Sequence, residues 1–225
     1  MFATRLLYEG VSKLKLSASL GVILSVLSIT VSFIGINSLN PIYLAFAVIF
    51  GFMILILELI AWALKIIGWG RICSTRIKKF YCWTRLALII FPIIGMLVSF
   101  IGFLVIFLRQ PLSIGVGNIP KREKSFETIG IIGGLIFSLG YLFEAIGLYD
   151  FSLIYRNSIL RVGSIIYIIS IAVSPISSLI EATTVKSLLN NSLHFISSFL
   201  VFLGLAKIQK AIIHGTQYPS QGGFP

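Results

Sequence analysis

Long apolar runs separated by short polar segments are the dominant pattern of this chain. Six runs are each close to the roughly 20 residues that a helix needs to cross the hydrocarbon layer. They cover residues 17–37, 42–64, 86–108, 128–148, 160–182 and 188–206. The pattern predicts an all-α polytopic membrane protein, whose transmembrane domain (17–206) is a bundle of six transmembrane helices. Residues 1–16 are predicted to form a cytoplasmic segment with a short interfacial helix, and 207–225 a disordered cytoplasmic tail.

The basic residues between the runs predict the orientation of the bundle. Segments that share a side with the N-terminus hold 13 of the 18 lysines and arginines, and the segments on the other side hold five. Short loops rich in Lys and Arg stay in the cytoplasm. We therefore predict that both the N and C termini are cytoplasmic.

Composition supports the membrane class and narrows the chemistry. Of 225 residues, 57% are hydrophobic and 11% are charged, and the mean hydropathy is +1.03. An ordinary soluble domain has about twice that share of charged residues. With two histidines, two cysteines and no nucleophile–base pair, metal cluster or phosphate loop in the sequence, no enzyme activity, metal site or cofactor is expected.

The most basic segment, residues 65–85, follows the second run. It carries Lys65 and a predicted basic cytoplasmic loop with five further cations: Arg71, Arg76, Lys78, Lys79 and Arg85. Such a segment attracts anionic lipid headgroups, and its aromatic residues Trp69, Tyr81 and Trp83 are predicted at headgroup level. Aromatic side chains between cations also suit nucleic-acid stacking, but no nucleic-acid-binding motif accompanies them.

Cys73 and Cys82 are the only cysteines, and both lie in this basic segment. No histidine lies nearby to complete a zinc set. On a reducing face of the membrane we expect two free thiols. A disulfide is the alternative, which intracellular proteins of hyperthermophiles form more readily.

Small residues recur along three of the runs. The first run carries Gly21, Ser25, Ser28, Ser32 and Gly35; the fourth carries a GxxxG motif at 130–134 and a second row at Gly133, Gly140 and Gly147; the fifth carries Gly163, Ser170, Ser174 and Ser177. Small residues let membrane helices approach closely. The seams predict tight packing, with the first, fourth and fifth spans near the middle of the bundle.

Few ionisable residues lie inside the runs, and such residues are functional candidates because they are costly in lipid. The candidate intramembrane polar site comprises Glu58, Glu144 and His194. Glu58 is predicted to pair with Lys65 on the same helical face, or to serve as a proton or cation site. Glu144 is predicted to pair with Arg156 or Arg161.

Two further predictions concern polar residues near the ends of the fifth and sixth runs. Glu181 is predicted to lie near Lys186. Asn190, His194 and Ser197 share one helical face, which indicates interhelical hydrogen bonds, with a pH-sensing role for His194 as the alternative.

Three passages resemble an uncharacterised family of multipass membrane proteins from thermoacidophilic archaea. They are YEGVSKLK at 8–15, AIGLYDFSLIYRNSILRVG at 145–163 and FLGLAKIQK at 202–210. The resemblance implies a location in the plasma membrane and no specific activity.

These observations favour a non-enzymatic integral membrane protein that acts as a subunit or scaffold of a membrane assembly. Its expected partners are anionic lipid headgroups and either other membrane proteins or further copies of the chain. Two alternatives remain: a small ion or solute transporter or pore with Glu58 on the path, and a membrane component of nucleic-acid or macromolecule import.

Overall fold

A computed structural model describes residues 2–36, 41–108, 120–177 and 183–214. Within these ranges the chain forms six α-helices and no strand, so the all-α prediction is confirmed there. The helices are α1 (Phe2–Ile36), α2 (Pro41–Ser74), α3 (Phe80–Leu108), α4 (Pro120–Ile154), α5 (Ser158–Ser177) and α6 (Thr183–Ile213).

Five of the helices are long and apolar enough to cross a membrane. The qualifying segments are Phe2–Ser32, Val48–Ser74, Phe80–Gly102, Ile131–Ile154 and Leu188–Ile213. The apolar part of α5, Ser158–Val173, is shorter. The chain is therefore a membrane-embedded helical protein, and α5 is the helix on which the six-span prediction depends.

The six helices pack as a closed ring. In the described residues each helix contacts its neighbours in sequence, and α1 also contacts α6. No helix occupies the centre, so the prediction that the first, fourth and fifth spans lie near the middle is wrong. The physical reason is that their small residues serve neighbouring helices and a polar cavity, rather than a dry central contact.

The hydrophobic core lies at one end of the ring, which we call the basic end. There α1 begins and α6 ends, and the α2–α3 and α4–α5 turns lie beside them. Its largest fully buried side chains come from α1 to α6 and include Leu7, Ile72, Trp69, Tyr81, Phe151, Leu160 and Ile208. This packed end forms a base beneath the more open part of the ring.

The first helix differs from its prediction. Residues 2–16 do not form a separate interfacial helix but continue without interruption into the apolar run. No proline separates the two parts, and the helically spaced Leu7, Val11 and Leu14 are buried in the core. A Cβ on Gly10 would meet Ile72 Cγ1 at 2.7 Å, which shows how closely α1 packs against α2.

The two glycine rows of α4 behave differently. Added Cβ atoms at Gly133, Gly140 and Gly147 would collide with atoms of α3 or α2, so this row is the packing face. Gly134 has no neighbour within 4 Å, so its part of the GxxxG motif makes no helix contact among the described residues.

Candidate functional site

The centre of the ring holds a cavity of about 370 Å³. Five helices line it: α1, α2, α4, α5 and α6. Leu14, Leu148 and Leu205 lie on its wall towards the basic end, next to the packed core. Its ionisable lining groups are two carboxylates, one ammonium, one imidazole and two phenols, from Glu58, Glu144, Lys65, His194, Tyr141 and Tyr167.

Several of the lining hydroxyls come from the seams of small residues. Ser17, Ser25 and Ser28 on α1 face the cavity together with Gly21, and Ser170 joins them from α5. Ser25 donates a hydrogen bond to the carbonyl of Gly21, one turn earlier, at 2.8 Å. The small side chains therefore leave room at the centre and give the space a polar wall.

A three-residue network stands in the cavity wall. Lys65 Nζ donates to Glu144 Oε2 at 2.7 Å and to the Tyr167 hydroxyl oxygen at 3.0 Å, and the Tyr167 hydroxyl donates to the same Glu144 oxygen at 3.0 Å. The side chain of Glu144 is 3% exposed and that of Lys65 is 14% exposed. Helices α2, α4 and α5 are thereby joined across the ring by one buried, charge-assisted cluster.

Aromatic rings complete the surroundings of the Lys65 ammonium. Its nitrogen lies 4.7 Å from the ring centre of Tyr141 and 5.3 Å from that of Tyr167, within the range of cation–π attraction. The imidazole of His194 lies next in line, with its ring centre 5.9 Å from that of Tyr167. The cavity therefore surrounds one positively charged group of the protein itself, the Lys65 ammonium.

The ion pairs predicted for Lys65 and Glu144 are wrong. Lys65 pairs with Glu144 rather than with Glu58, and Glu144 pairs with neither Arg156 nor Arg161. Sequence periodicity shows that Glu58 and Lys65 share a face of α2, but it does not show what stands opposite. In the ring, α4 stands opposite this face of α2, so Lys65 forms its ion pair with Glu144 of α4.

Glu58 is the second carboxylate of the cavity. It is exposed, in contrast to Glu144, and it makes no ion pair within 4 Å among the described residues. Glu58 thus adds to the cavity a second carboxylate that has no cation within 4 Å among the described residues.

The polar face of α6 also reaches the cavity. Asn190, Asn191, His194 and Ser197 all line it, so the predicted common face of the triplet is observed. Ser197 donates to the carbonyl of His194 at 2.9 Å, within its own helix rather than to another. The Oδ1 atom of Asn190 is buried and accepts no hydrogen bond within the described residues.

The sequence predicts Lys65 beside Glu58, but it does not predict the aromatic part of this site. Trp62, Tyr141 and Tyr167 also line the cavity. Their signal was available in principle, because a lysine at the end of an apolar run and tyrosines within such runs are the amphipathic residues that stand between apolar and polar surroundings.

The basic loop lies outside the cavity, at the basic end. Arg71, Arg76, Lys79 and Arg85 are exposed, as their predicted contact with anionic headgroups requires. Lys78 instead donates to Asp150 Oδ1 at 2.7 Å, and Arg71 lies 3.7 Å from Glu9. These acids neutralise only part of the charge of the loop.

Two of the three aromatic residues predicted at headgroup level lie elsewhere. Trp69 and Tyr81 are fully buried, with ring centres 5.5 Å apart, while Trp83 is 62% exposed. The helices continue past the apolar runs at this end and bury both rings in the core. Only Trp83 remains available for the membrane interface.

Cys73 and Cys82 form a disulfide, so the expectation of two free thiols is wrong. The turn between α2 and α3 brings their Cα atoms to 4.9 Å, within the usual range for a disulfide. The bond joins the last turn of α2 to the first turn of α3. It therefore fixes the segment that carries Lys78 and Tyr81.

The described residues contain no group of three or more His, Cys, Asp or Glu side chains that could hold a metal ion. The predicted neighbour pair Glu181 and Lys186 is not tested, because 178–182 lies outside the described residues. Comparison of the chain with protein-family models, with curated proteins and with solved structures gives no match.

Proposed function

We propose that the protein is a six-span carrier of the plasma membrane that binds a small polar solute or ion in the cavity between its helices. The supporting observation is the buried Lys65–Glu144–Tyr167 network in the wall of this cavity. Charged groups within membrane spans are costly and commonly mark substrate or ion paths. In this proposal both termini are cytoplasmic, so the packed basic end closes the cavity on the cytoplasmic side.

The packed base and the open cavity fit the alternating-access scheme of carriers. A carrier needs a site that is sealed on one side while it communicates with the other. The core at the basic end supplies the seal, and the network stands directly beyond it. We propose that rearrangement of the Lys65–Glu144 pair accompanies opening of that seal.

Proteoliposome flux assays test this proposal. Uptake of sodium, rubidium, chloride and an amino-acid mixture would be measured together with a luminal pH dye. Glu144→Gln should abolish the flux that the wild-type protein supports. Asp150→Asn is the matched control, because its ion pair with Lys78 has the same length but lies outside the cavity lining. Fluxes equal to those of protein-free liposomes for every probe would contradict the proposal.

The orientation can be tested separately. In a Cys73→Ser/Cys82→Ser background, His214→Cys places a single thiol just after α6. The proposed orientation predicts that an impermeant thiol reagent leaves it unmodified in intact cells and modifies it after lysis. Modification in intact cells would place the C-terminal end of α6 outside.

A scaffold or subunit role is the second candidate, and one feature of α2 favours it. Residues 51–53, 55–56 and 59–60 are exposed, and Gly51 has no neighbour within 4 Å among the described residues. Such a surface allows close approach of a helix from another protein or a second copy. Blue-native electrophoresis after mild extraction should then show an assembly that Gly51→Leu disrupts. A solitary monomer in native membranes and in detergent would count against this role.

A further inference from the structure

Glu58 gives the cavity one carboxylate more than Lys65 can balance. The ammonium of Lys65 is engaged by Glu144 Oε2, by the Tyr167 hydroxyl and by two ring faces. Glu58 has no such partner within 4 Å in the described chain, although it lies within the apolar segment Val48–Ser74. A carboxylate at this place in a membrane is costly unless a proton or a cation neutralises it.

We propose that the cavity binds a monovalent alkali cation, with Glu58 as the charged ligand. This inference rests on the proposed carrier function and names its substrate class. Asn190 and Ser28 also line the cavity, and the buried Oδ1 atom of Asn190 accepts no hydrogen bond in the described residues. Carboxylate, amide and hydroxyl oxygens suit hard cations such as Na⁺ and K⁺.

The charge balance selects a monovalent ion over a divalent one. Lys65 and Glu144 cancel, so Glu58 leaves one uncompensated negative charge, which one monovalent ion neutralises. A divalent ion would leave a net positive charge in apolar surroundings, where uncompensated charge is unfavourable. Glu144 supplies a further carboxylate oxygen beside the cavity. Both of its described hydrogen bonds use Oε2, and neither uses Oε1.

Equilibrium binding to the full-length protein in lipid nanodiscs tests this inference. Binding of radioactive sodium and rubidium would be measured against a background of N-methyl-D-glucamine chloride at constant ionic strength. Saturable binding of at least one ion is expected. Because it replaces the charged ligand by a neutral amide, Glu58→Gln should weaken that binding about tenfold or more.

Glu9→Gln is the matched control. It makes the same change in a carboxylate that lies outside the cavity lining and pairs with Arg5, and it should bind the ion as the wild-type protein does. No saturable alkali binding would overturn the inference. A pH-dependent thermal stability that Glu58→Gln removes, without any response to alkali ions, would also overturn it and assign a proton to Glu58.

The outcomes separate this inference from the carrier proposal. Saturable binding that depends on Glu58, without flux of any probe, would keep the cation site and remove the carrier function. Flux that Glu144→Gln abolishes and Glu58→Gln leaves unchanged would keep the carrier and remove the cation site. The two variants are therefore measured in both assays.

Discussion

Two carboxylates on α4, six residues apart, are held by the same kinds of groups in different surroundings. Glu144 accepts hydrogen bonds from Lys65 and from the Tyr167 hydroxyl; Asp150 accepts from Lys78 and from the Tyr81 hydroxyl. Both lysine–carboxylate distances are 2.7 Å. The shared arrangement means that any difference between the two sites must come from their environment.

The difference lies in exposure and in the use of the carboxylate oxygens. The Lys78 and Asp150 side chains are 35% and 25% exposed, and Asp150 uses one oxygen for each donor. Glu144 is almost completely buried and receives both donors on one oxygen, beside a cavity. The Lys78–Asp150 ion pair stabilises the α2–α3 turn at the basic end. The Lys65–Glu144 ion pair leaves one Glu144 oxygen free of both donors, beside the cavity. Equal geometry therefore does not imply equal function.

The largest expected contrast comes from removing each carboxylate in turn. Glu144→Gln leaves a buried ammonium unpaired and should lower the free energy of unfolding by about 3 kcal/mol or more. Asp150→Asn removes a partly exposed pair, which should cost about 1 kcal/mol because water screens it. Titration with sodium dodecyl sulfate in mixed micelles measures both. Equal losses would show that the two environments do not differ as described.

A double variant checks the cause of the larger loss. Lys65→Met combined with Glu144→Leu removes both charges and should recover most of the stability, because the unpaired buried charge is gone. A double variant as unstable as Glu144→Gln alone would assign the loss to packing.

The sequence predicts features that depend on one segment alone, but not those that depend on which helices are neighbours. The apolar runs predict the helices, because run length against bilayer thickness is a property of each segment alone. The partner of Glu144 depends on which helix stands across the ring, which no single segment encodes. Residues Arg156 and Arg161 are near in sequence, yet the contact is with Lys65, 79 positions away.

The small-residue seams show the same limit. Spacing identified the faces of Gly21 and Gly140 correctly as close-contact positions, since both meet atoms of another helix. It could not distinguish a dry central contact from a ring around a cavity, because serine suits both. The basic segment was likewise recognised, but burial of Trp69 and Tyr81 required the extension of α2 beyond its apolar run.

The disulfide offers a second contrast, because it supports only the basic-end pair. Its half-cystines are nine positions apart and flank the turn that carries Lys78. Loss of a disulfide that closes a loop of this size should lower the free energy of unfolding by about 2.5 kcal/mol. Cys73→Ser/Cys82→Ser should show this loss in the same micelle titration while cation binding at the cavity stays unchanged.

A reductant supplies the control for that prediction. Dithiothreitol should lower the stability of the wild-type protein towards that of the double-serine variant and leave the variant itself unchanged. A loss of cavity binding on reduction would mean that the two ends of α2 are coupled, contrary to the separate roles assigned to the two ion pairs.

The smallest expected effect compares the two tyrosine hydroxyls. Tyr81 is fully buried in the core, so Tyr81→Phe leaves Asp150 Oδ2 without its donor, at a cost of about 1.5 kcal/mol. Tyr167→Phe should cost only about 0.5 kcal/mol, because Lys65 still donates to the same Glu144 oxygen and cavity water can replace the hydroxyl. Micelle titration of the two variants side by side measures the difference. A larger loss for Tyr167→Phe would indicate that the cavity is too dry to supply water, which would also weaken it as the site of a hydrated substrate.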